Sequence, residues 1–588
     1  MVRSRDEIDS RYKWGVDEVY SIGELDQEID DVRSLLEDVK DFSGGLSREE
    51  NLEEFLDKYS RMERKLSTLS RYASMKSDED TRDQEARALK SKVSSLSSKV
   101  SEETSFVKLE IQGIGKEKVE DMIESNDKIA ERDYYLREFT RLKPYTRSLE
   151  VEKTVSSLSE VLDASSETYS MLSNADLTFP EINRDGEKTR ITQANFTRLL
   201  KDGDENFREE VYESYYETLE GYENTIGTTF SKEVRTNIKM AEIRNYNSAR
   251  EAALKPDNIP LDVYDNLVET VEDNLDVLHD HMKLKQEARN LDSVKMHDLY
   301  LPIPESNSPE VSYEKAKEYI LEALQPLGER YVEKLREGLE NRWVDVYETD
   351  GKRSGAYSGG SYDTRPFILM NYQKDIDSMY TLAHELGHSM HSELTSKNQP
   401  YLHSNYKIFV AEVASTVNEV LLTEYLLENI DDQEFGKHVL SHALENFRST
   451  LFRQTMFADF EKKIHDKAES GEPMTAERAS EIYADLKSDF YRPVEMDEHI
   501  RNEWMRIPHF YYNFYVFQYA TGISAANQIA EIIQDEEPEN YLKFLKSGGS
   551  APPLELLRKA GVDMESKEPV ETAIEHYSKR IEQMREQL

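Results

Sequence analysis

Three of the chain's 13 histidines fall within the stretch TLAHELGHSMHS, residues 381–392. His384 and His388 stand four apart, so on a helix their imidazoles lie one turn apart on a single face. Two imidazoles so placed can both reach one Zn²⁺ at about 2.0–2.1 Å. Glu385 sits about 100° further round the helix, beside such a metal rather than on it. From there its carboxylate can take a proton from an attacking water and hand it to a leaving amine. Composition alone yields His-Glu-x-x-His about 0.03–0.04 times in such a chain, so chance is a poor account of it. The bland alternative is a pair of packed core histidines. Gly387 speaks against that, because glycine inside a helix costs about 1 kcal/mol relative to alanine and predicts a close backbone approach.

The chain has no cysteine, so a third ligand must be a histidine or a carboxylate. A metzincin spacing would place a glycine and a histidine where the chain has His391 and Leu394. A glutamate 19 residues beyond the second histidine would fall on Lys407. His391 therefore reads as a packing residue or a support behind the site. The nearby glutamates are Glu393, Glu412, Glu419 and Glu424. Glu393 lies on the same helix and cannot curl back onto the metal. KIFVAEVASTVNEVLLTEYLLE (407–428) has the pattern of a second helix, reached after a loop carrying Pro400 and Asn405. An antiparallel return of that helix would bring Glu412 beside the two histidines. Glu419, two turns later on much the same face, competes with it, and otherwise reads as a carboxylate behind the site or on the helix surface.

These residues need a frame, and the sequence supplies a helical one. At 588 residues, 37% hydrophobic and 10% aromatic, the chain is long and apolar enough to fold into several domains. Segments 51–76 and 261–290 repeat apolar residues at three- and four-residue intervals, with charges between them on solvated faces. Strand signals are few. Residues 177–196 read as a hairpin with an Asp-Gly turn at Asp185 and Gly186, and 351–373 as a glycine-rich loop running into a β-prone stretch. The expected domains are an N-terminal helical lobe over 1–195, with the hairpin near its end, and a catalytic lobe over 196–588. The net charge of −43 argues against nucleic acid or an anionic membrane as a partner. It suits a salt-rich cytoplasm or an ordinary acidic enzyme, and the many lysines restrain the first. No apolar stretch resembles a signal peptide or a membrane span, so the expectation is a cytoplasmic protein.

Two further stretches could face a substrate. RPFILMNY (365–372) could lend the free edge of a strand to a peptide backbone, or be a core strand, and the glycines of GAYSGG would let a loop move over the peptide. HFYYNFYVFQY (509–519) holds seven aromatic residues in eleven. With Pro508 as a helix start, His509, Tyr512, Tyr515 and Tyr519 would fall along one face. Such a stripe is usually core; here its hydroxyls and imidazole could also serve as donors to a developing oxyanion.

TLAHELGHSMHS followed by FVAEVASTVNE resembles the oligoendopeptidase F family, within the thimet oligopeptidase group of zinc metallopeptidases. YKWGVDEVY (12–20), FPEINRDGEKTRIT, MHDLY (296–300), GKRSGAYS (351–358) and IPHFYYNFYVFQYATG (507–522) have counterparts there too, so the resemblance spans almost the whole chain. It implies one zinc per chain on His384, His388 and Glu412, with Glu385 as base and acid. It assigns the oxyanion to His509 and nearby tyrosines, among which Tyr511, Tyr512 and Tyr515 compete. The implied fold is mostly α, two helical lobes enclosing a deep channel, with a small β-sheet beside the zinc helix. The implied activity is endopeptidase cleavage of short unfolded peptides. A zinc carboxypeptidase or peptidyl-dipeptidase on a similar scaffold is the alternative; it would need a cationic grip on the substrate's C-terminal carboxylate.

Overall fold

The computed structural model describes residues 3–21, 23–184, 186–535 and 538–588. The chain is 70% helical, with two small sheets among the described residues. In the first sheet, β1 (Glu181–Arg184) and β2 (Glu187–Arg190) pair antiparallel, with Ile182 opposite Thr189. Asp185 of the expected turn lies outside the described residues, and Gly186 takes φ +91°, a value that suits glycine best. The second sheet contains β3 (Val344–Asp345), β4 (Tyr357–Gly359) and β5 (Phe367–Leu369) in the order β3-β5-β4. β3 runs parallel to β5, and β4 runs antiparallel to it.

The chain gathers into two compact units, each built from three segments. The first takes Met1–Lys143, Pro309–Asn429 and Ile529–Val562; the second takes Pro144–Ser308, Ile430–Gln528 and Asp563–Leu588. The units therefore interleave along the chain and do not follow the expected division at residue 195.

The first unit holds the three-stranded sheet and the helices around it. Helix α1 (Glu49–Glu79) covers the expected 51–76 segment. Its Tyr72 and Met75 join Trp14, Val16, Phe367 and Leu369 in one apolar cluster, which ties the sheet to the N-terminal helices. The Trp14 indole donates to Glu79 at 2.7 Å, so this buried ring keeps a partner for its N–H. Lys352 clamps the sheet. Its side chain is fully buried, 2.7 Å from the Asp345 carboxylate, and it donates to the carbonyls of Tyr347 and Met370. Helices α2 (Ile376–Asn398) and α3 (Ile408–Asn429) pack antiparallel in this unit. Asp375 caps α2 by accepting the Ser378 N–H at 2.7 Å.

In the second unit the expected 261–290 helix is two helices, Leu261–Asp273 and Leu275–Ala288. They break at Asn274, whose amide donates to the Thr270 carbonyl at 2.8 Å. That local bond competes with helix continuation in the way asparagine favours. Helices α4 (Arg453–Glu469) and α5 (Phe517–Asp535) flank the aromatic stretch, with the unit boundary falling inside α5.

Candidate active site

The seam between α2 and α3 brings the predicted metal-binding residues together. Four contacts set its register. The Tyr380 and Thr423 hydroxyls meet at 2.8 Å, Asn418 donates to the Ala383 carbonyl at 3.0 Å, and His384 donates through Nδ1 to Glu419 at 2.5 Å. The fourth is Gly387. A Cβ on it would lie 2.5 Å from the Ala414 carbonyl oxygen and 2.6 Å from Ser415 Cα. The glycine in the helix is therefore there to let α3 approach, the close contact its cost predicted.

At that spacing His384, His388 and Glu412 each offer one ligand atom, all within 4.8 Å of one another. The two Nε2 atoms are 3.1 Å apart. Glu412 Oε2 lies 3.4 Å from His384 Nε2 and 3.7 Å from His388 Nε2. Donors about 2.0–2.1 Å from a tetrahedral centre stand about 3.3–3.4 Å apart, and the observed edges bracket that value. The remaining nitrogens are held from behind: His384 by Glu419, and His388 by the Ala411 backbone carbonyl. Such outer bonds fix the tautomer and aim the ring. The residues present fit a zinc ion in donor type, number and spacing.

Around this triangle the other candidates separate. Glu419 touches His384 from outside the triangle. Glu393 is buried and paired with Lys334 and Lys397. His391 is fully buried, stacks on Tyr406 at 3.7 Å, and has no hydrogen-bond partner on either ring nitrogen. Burial pushes its pKa down to about 3, so it is a neutral packing ring. Glu385 lines a cleft of about 620 Å³ together with His384, His388 and Glu412. It accepts the Ser358 N–H, and burial, opposed by His384, raises its pKa to about 7.

Strand β5, expected as a peptide-aligning edge, is the central strand of its sheet and fully buried. Its edges are taken up by β3 and β4, so it has none to offer. The edge strands are β3 and β4, and β4 takes Tyr357 and Ser358 from GKRSGAYS. It lines the cleft through Tyr357, Ser358 and Gly359, and the Ser358 hydroxyl meets Ser389 of α2 at 2.8 Å. Gly355 and Gly360, at φ +84° and +118°, shape the approaches to this strand. Ser358, Ser389 and Asn418 carry no sequence signal of their own; they matter only through the packing of β4 and α3 against α2.

The aromatic stretch lies in the second unit and is not one continuous helix. A 3₁₀ turn covers Pro508–Tyr511, Asn513 and Phe514 adopt φ of +36° and +55°, and α5 begins only at Phe517. The rings still gather. His509 lies 5.9 Å from Tyr512, 6.3 Å from Tyr515 and 6.0 Å from Tyr519, centroid to centroid. Tyr512 is 57% exposed. Tyr511 leaves the competition: it is buried, stacks on Tyr169 at 4.3 Å, and shares a 2.8 Å hydrogen bond with Thr229. Burial, and then the Arg453 guanidinium, hold His509 below its usual pKa, so it is a neutral imidazole with one N–H to donate.

Comparisons with known proteins concern the chain as a whole. Residues 198–576 match the model of peptidase family M3, and residues 110–179 match that of oligopeptidase F. The chain is 42% identical to oligopeptidase PepF of Bacillus subtilis, over 99% of this chain and 88% of that protein. It is 38% identical to group B oligopeptidase PepB of Streptococcus agalactiae, over 99% and 98%. The crystal structure of oligoendopeptidase-F from Enterococcus faecium superposes with a TM-score of 0.74 at 35% identity, covering 96% of this chain and 98% of that one. The chain belongs to peptidase family M3, in its oligoendopeptidase F group, and is a metallopeptidase.

Proposed function

We propose that the protein is a zinc-dependent endopeptidase that cuts internal bonds of short, unfolded peptides in the cytoplasm, with one zinc per chain. The observation that carries this reading is the His384–His388–Glu412 donor triangle with Glu385 beside it in the same cleft. Zinc held there would polarise the scissile carbonyl and make a water nucleophilic near neutral pH. Glu385 takes the proton of the attacking water and delivers it to the leaving amine. Glu419 keeps His384 in the tautomer that leaves Nε2 free. The edge of β4 aligns the peptide main chain, so substrates are held without reading their side chains. His509, with Tyr512 and Tyr515, donates to the developing oxyanion, a role assigned on the family resemblance and on the clustering of these rings.

The test is mass spectrometry of products from a mixed peptide pool, with and without chelator, using wild type and Glu385→Gln. Internal cleavage that the chelator abolishes is expected. The variant should lose about 10²–10⁴ in rate while keeping its metal by elemental analysis; activity within tenfold of wild type would refute the role of Glu385. A carboxypeptidase or peptidyl-dipeptidase reading has one observation in its favour: Arg71, the only lysine or arginine among the described residues lining the cleft, could grip a carboxylate. Peptides with amidated C-termini decide between them, since only an endopeptidase cuts these as freely as the acids.

A further inference from the structure

Glu461 on α4 is fully buried, away from any ion pair, beneath the turn that carries the aromatic cluster. One of its carboxyl oxygens accepts the Phe514 N–H at 2.7 Å, and the other has no hydrogen-bond partner. Burial pushes its pKa up to about 8, so at neutral pH it is a protonated acid accepting as a neutral group. One turn along α4, His465 places its ring 4.6 Å from that of Phe514. Phe514 is itself buried, a wedge between this histidine and Tyr264. Above the wedge, Asn513 and Phe514 both adopt left-handed backbone conformations without being glycine. Residues held there are strained and persist only where their surroundings fix them. A leucine at 461 and a glycine at 513 would suit a core better than an acid with an unpaired oxygen beneath a strained turn. What this costly arrangement does supply is a fixed path for the chain between Tyr512 and Tyr515.

We infer that Glu461 is a positioning residue for the peptidase reaction: it holds the left-handed Asn513–Phe514 turn by the Phe514 N–H, and so sets where Tyr512 and Tyr515 stand around His509. The inference rests on the donor role proposed above for those side chains. Glu461 itself touches no substrate.

Three variants test it. Glu461→Leu keeps the volume and removes the acceptor, whereas Glu461→Gln keeps a neutral acceptor of the same shape. Misplacing a reacting group by about 1 Å costs up to about 10² in rate, so kcat per folded, metal-loaded molecule should fall about 10- to 100-fold in the leucine variant, with KM within about threefold. The glutamine variant should recover to within about threefold of wild type. Should the leucine variant fail to fold, Glu461→Asp, which withdraws the acceptor by one methylene, is expected to show the same fall in kcat. Wild-type turnover in the folded variant overturns the inference, as does a loss carried by KM alone or a loss in Glu461→Gln as large as in Glu461→Leu. Tyr512→Phe and Tyr515→Phe are measured alongside. If both keep wild-type turnover, the donor role has failed and the inference with it. If they lose turnover and Glu461→Leu does not, the inference alone has failed.

Discussion

Replacing Gly387 with alanine sets two effects of opposite sign against each other. Helix propensity alone favours alanine by about 1 kcal/mol. The added methyl, however, would meet backbone atoms of α3, Ala414 O at 2.5 Å and Ser415 Cα at 2.6 Å, and no side chain can swing away to relieve it. Restoring contact near 3.5 Å moves α3 outward by about 0.9–1 Å. Glu412 is two residues from Ala414 and travels with it. Its distances to the histidine nitrogens, 3.4 and 3.7 Å, would then lengthen further beyond the spacing of about 3.3–3.4 Å that suits a tetrahedral zinc. Overpacking of this kind costs about 1–3 kcal/mol. If the strain is relieved by parting the helices, metal affinity carries it, a fall of about 5- to 150-fold. Chelator competition measures the zinc Kd, and thermal melting of the metal-free protein separates this from general damage. Unchanged zinc affinity with a raised Tm would refute the reasoning, because it would mean that the seam yields without moving Glu412.

Other perturbations give equally definite expectations. Glu412→Ala should abolish stoichiometric zinc, whereas Glu419→Ala should retain it with affinity lowered about 10- to 100-fold; metal analysis after dialysis reads both, and the reverse order would show the third ligand misassigned. Tyr511→Phe should lower stability by about 1 kcal/mol through the lost Thr229 bond and leave turnover unchanged. Tyr512→Phe should do the opposite, keeping Tm and lowering kcat by about 10²–10³. Lys352→Met leaves the Asp345 carboxylate buried with Arg5 as its remaining ion-pair partner and should cost about 3–5 kcal/mol in denaturant unfolding; a loss below about 1 kcal/mol would mean that the lysine does not clamp the sheet.

The metal triangle was legible in the sequence because it depends on local rules. Two histidines four apart share a helix face, and an antiparallel return brings the glutamates on one face of the next helix toward them. Glu412 and Glu419 both lie on that face, and the pattern alone left them in competition; only the α2–α3 register, set by Gly387 and Asn418, separates the one in the triangle from the one behind it. The edge strand was not legible. Whether β4 or β5 is the central strand depends on β3, more than twenty residues upstream of β5, and no local pattern encodes strand order. The aromatic stretch read as a helix because its ring spacing is helical, but the chain leaves the helix at Asn513 and Phe514, where Glu461, some fifty residues earlier, supplies the anchor. The interleaving of the two units was equally hidden: one crossing falls in the Pro- and Ser-containing loop at Ser308 and Pro309, but another falls inside α5, and nothing local says which loops are crossings.

That interleaving bears on how the protein can be made. By the time residue 429 leaves the ribosome, His384, His388 and Glu412 all exist, yet the segment 529–562 that completes their unit is about a hundred residues away. At about 5–20 residues per second the wait is about 5–20 s. Until then the face of α2 bearing His391 lacks Phe544 as a neighbour, and Thr395 lacks the Leu545 carbonyl it will bond at 3.0 Å. The metal-binding unit therefore cannot mature as the chain emerges, and no fragment that ends before residue 562 contains all of it. A stop codon anywhere between residues 413 and 562 removes part of that unit while leaving every proposed metal ligand in the truncated product. In such a nascent chain the ligands come first and the fold that aligns them comes last.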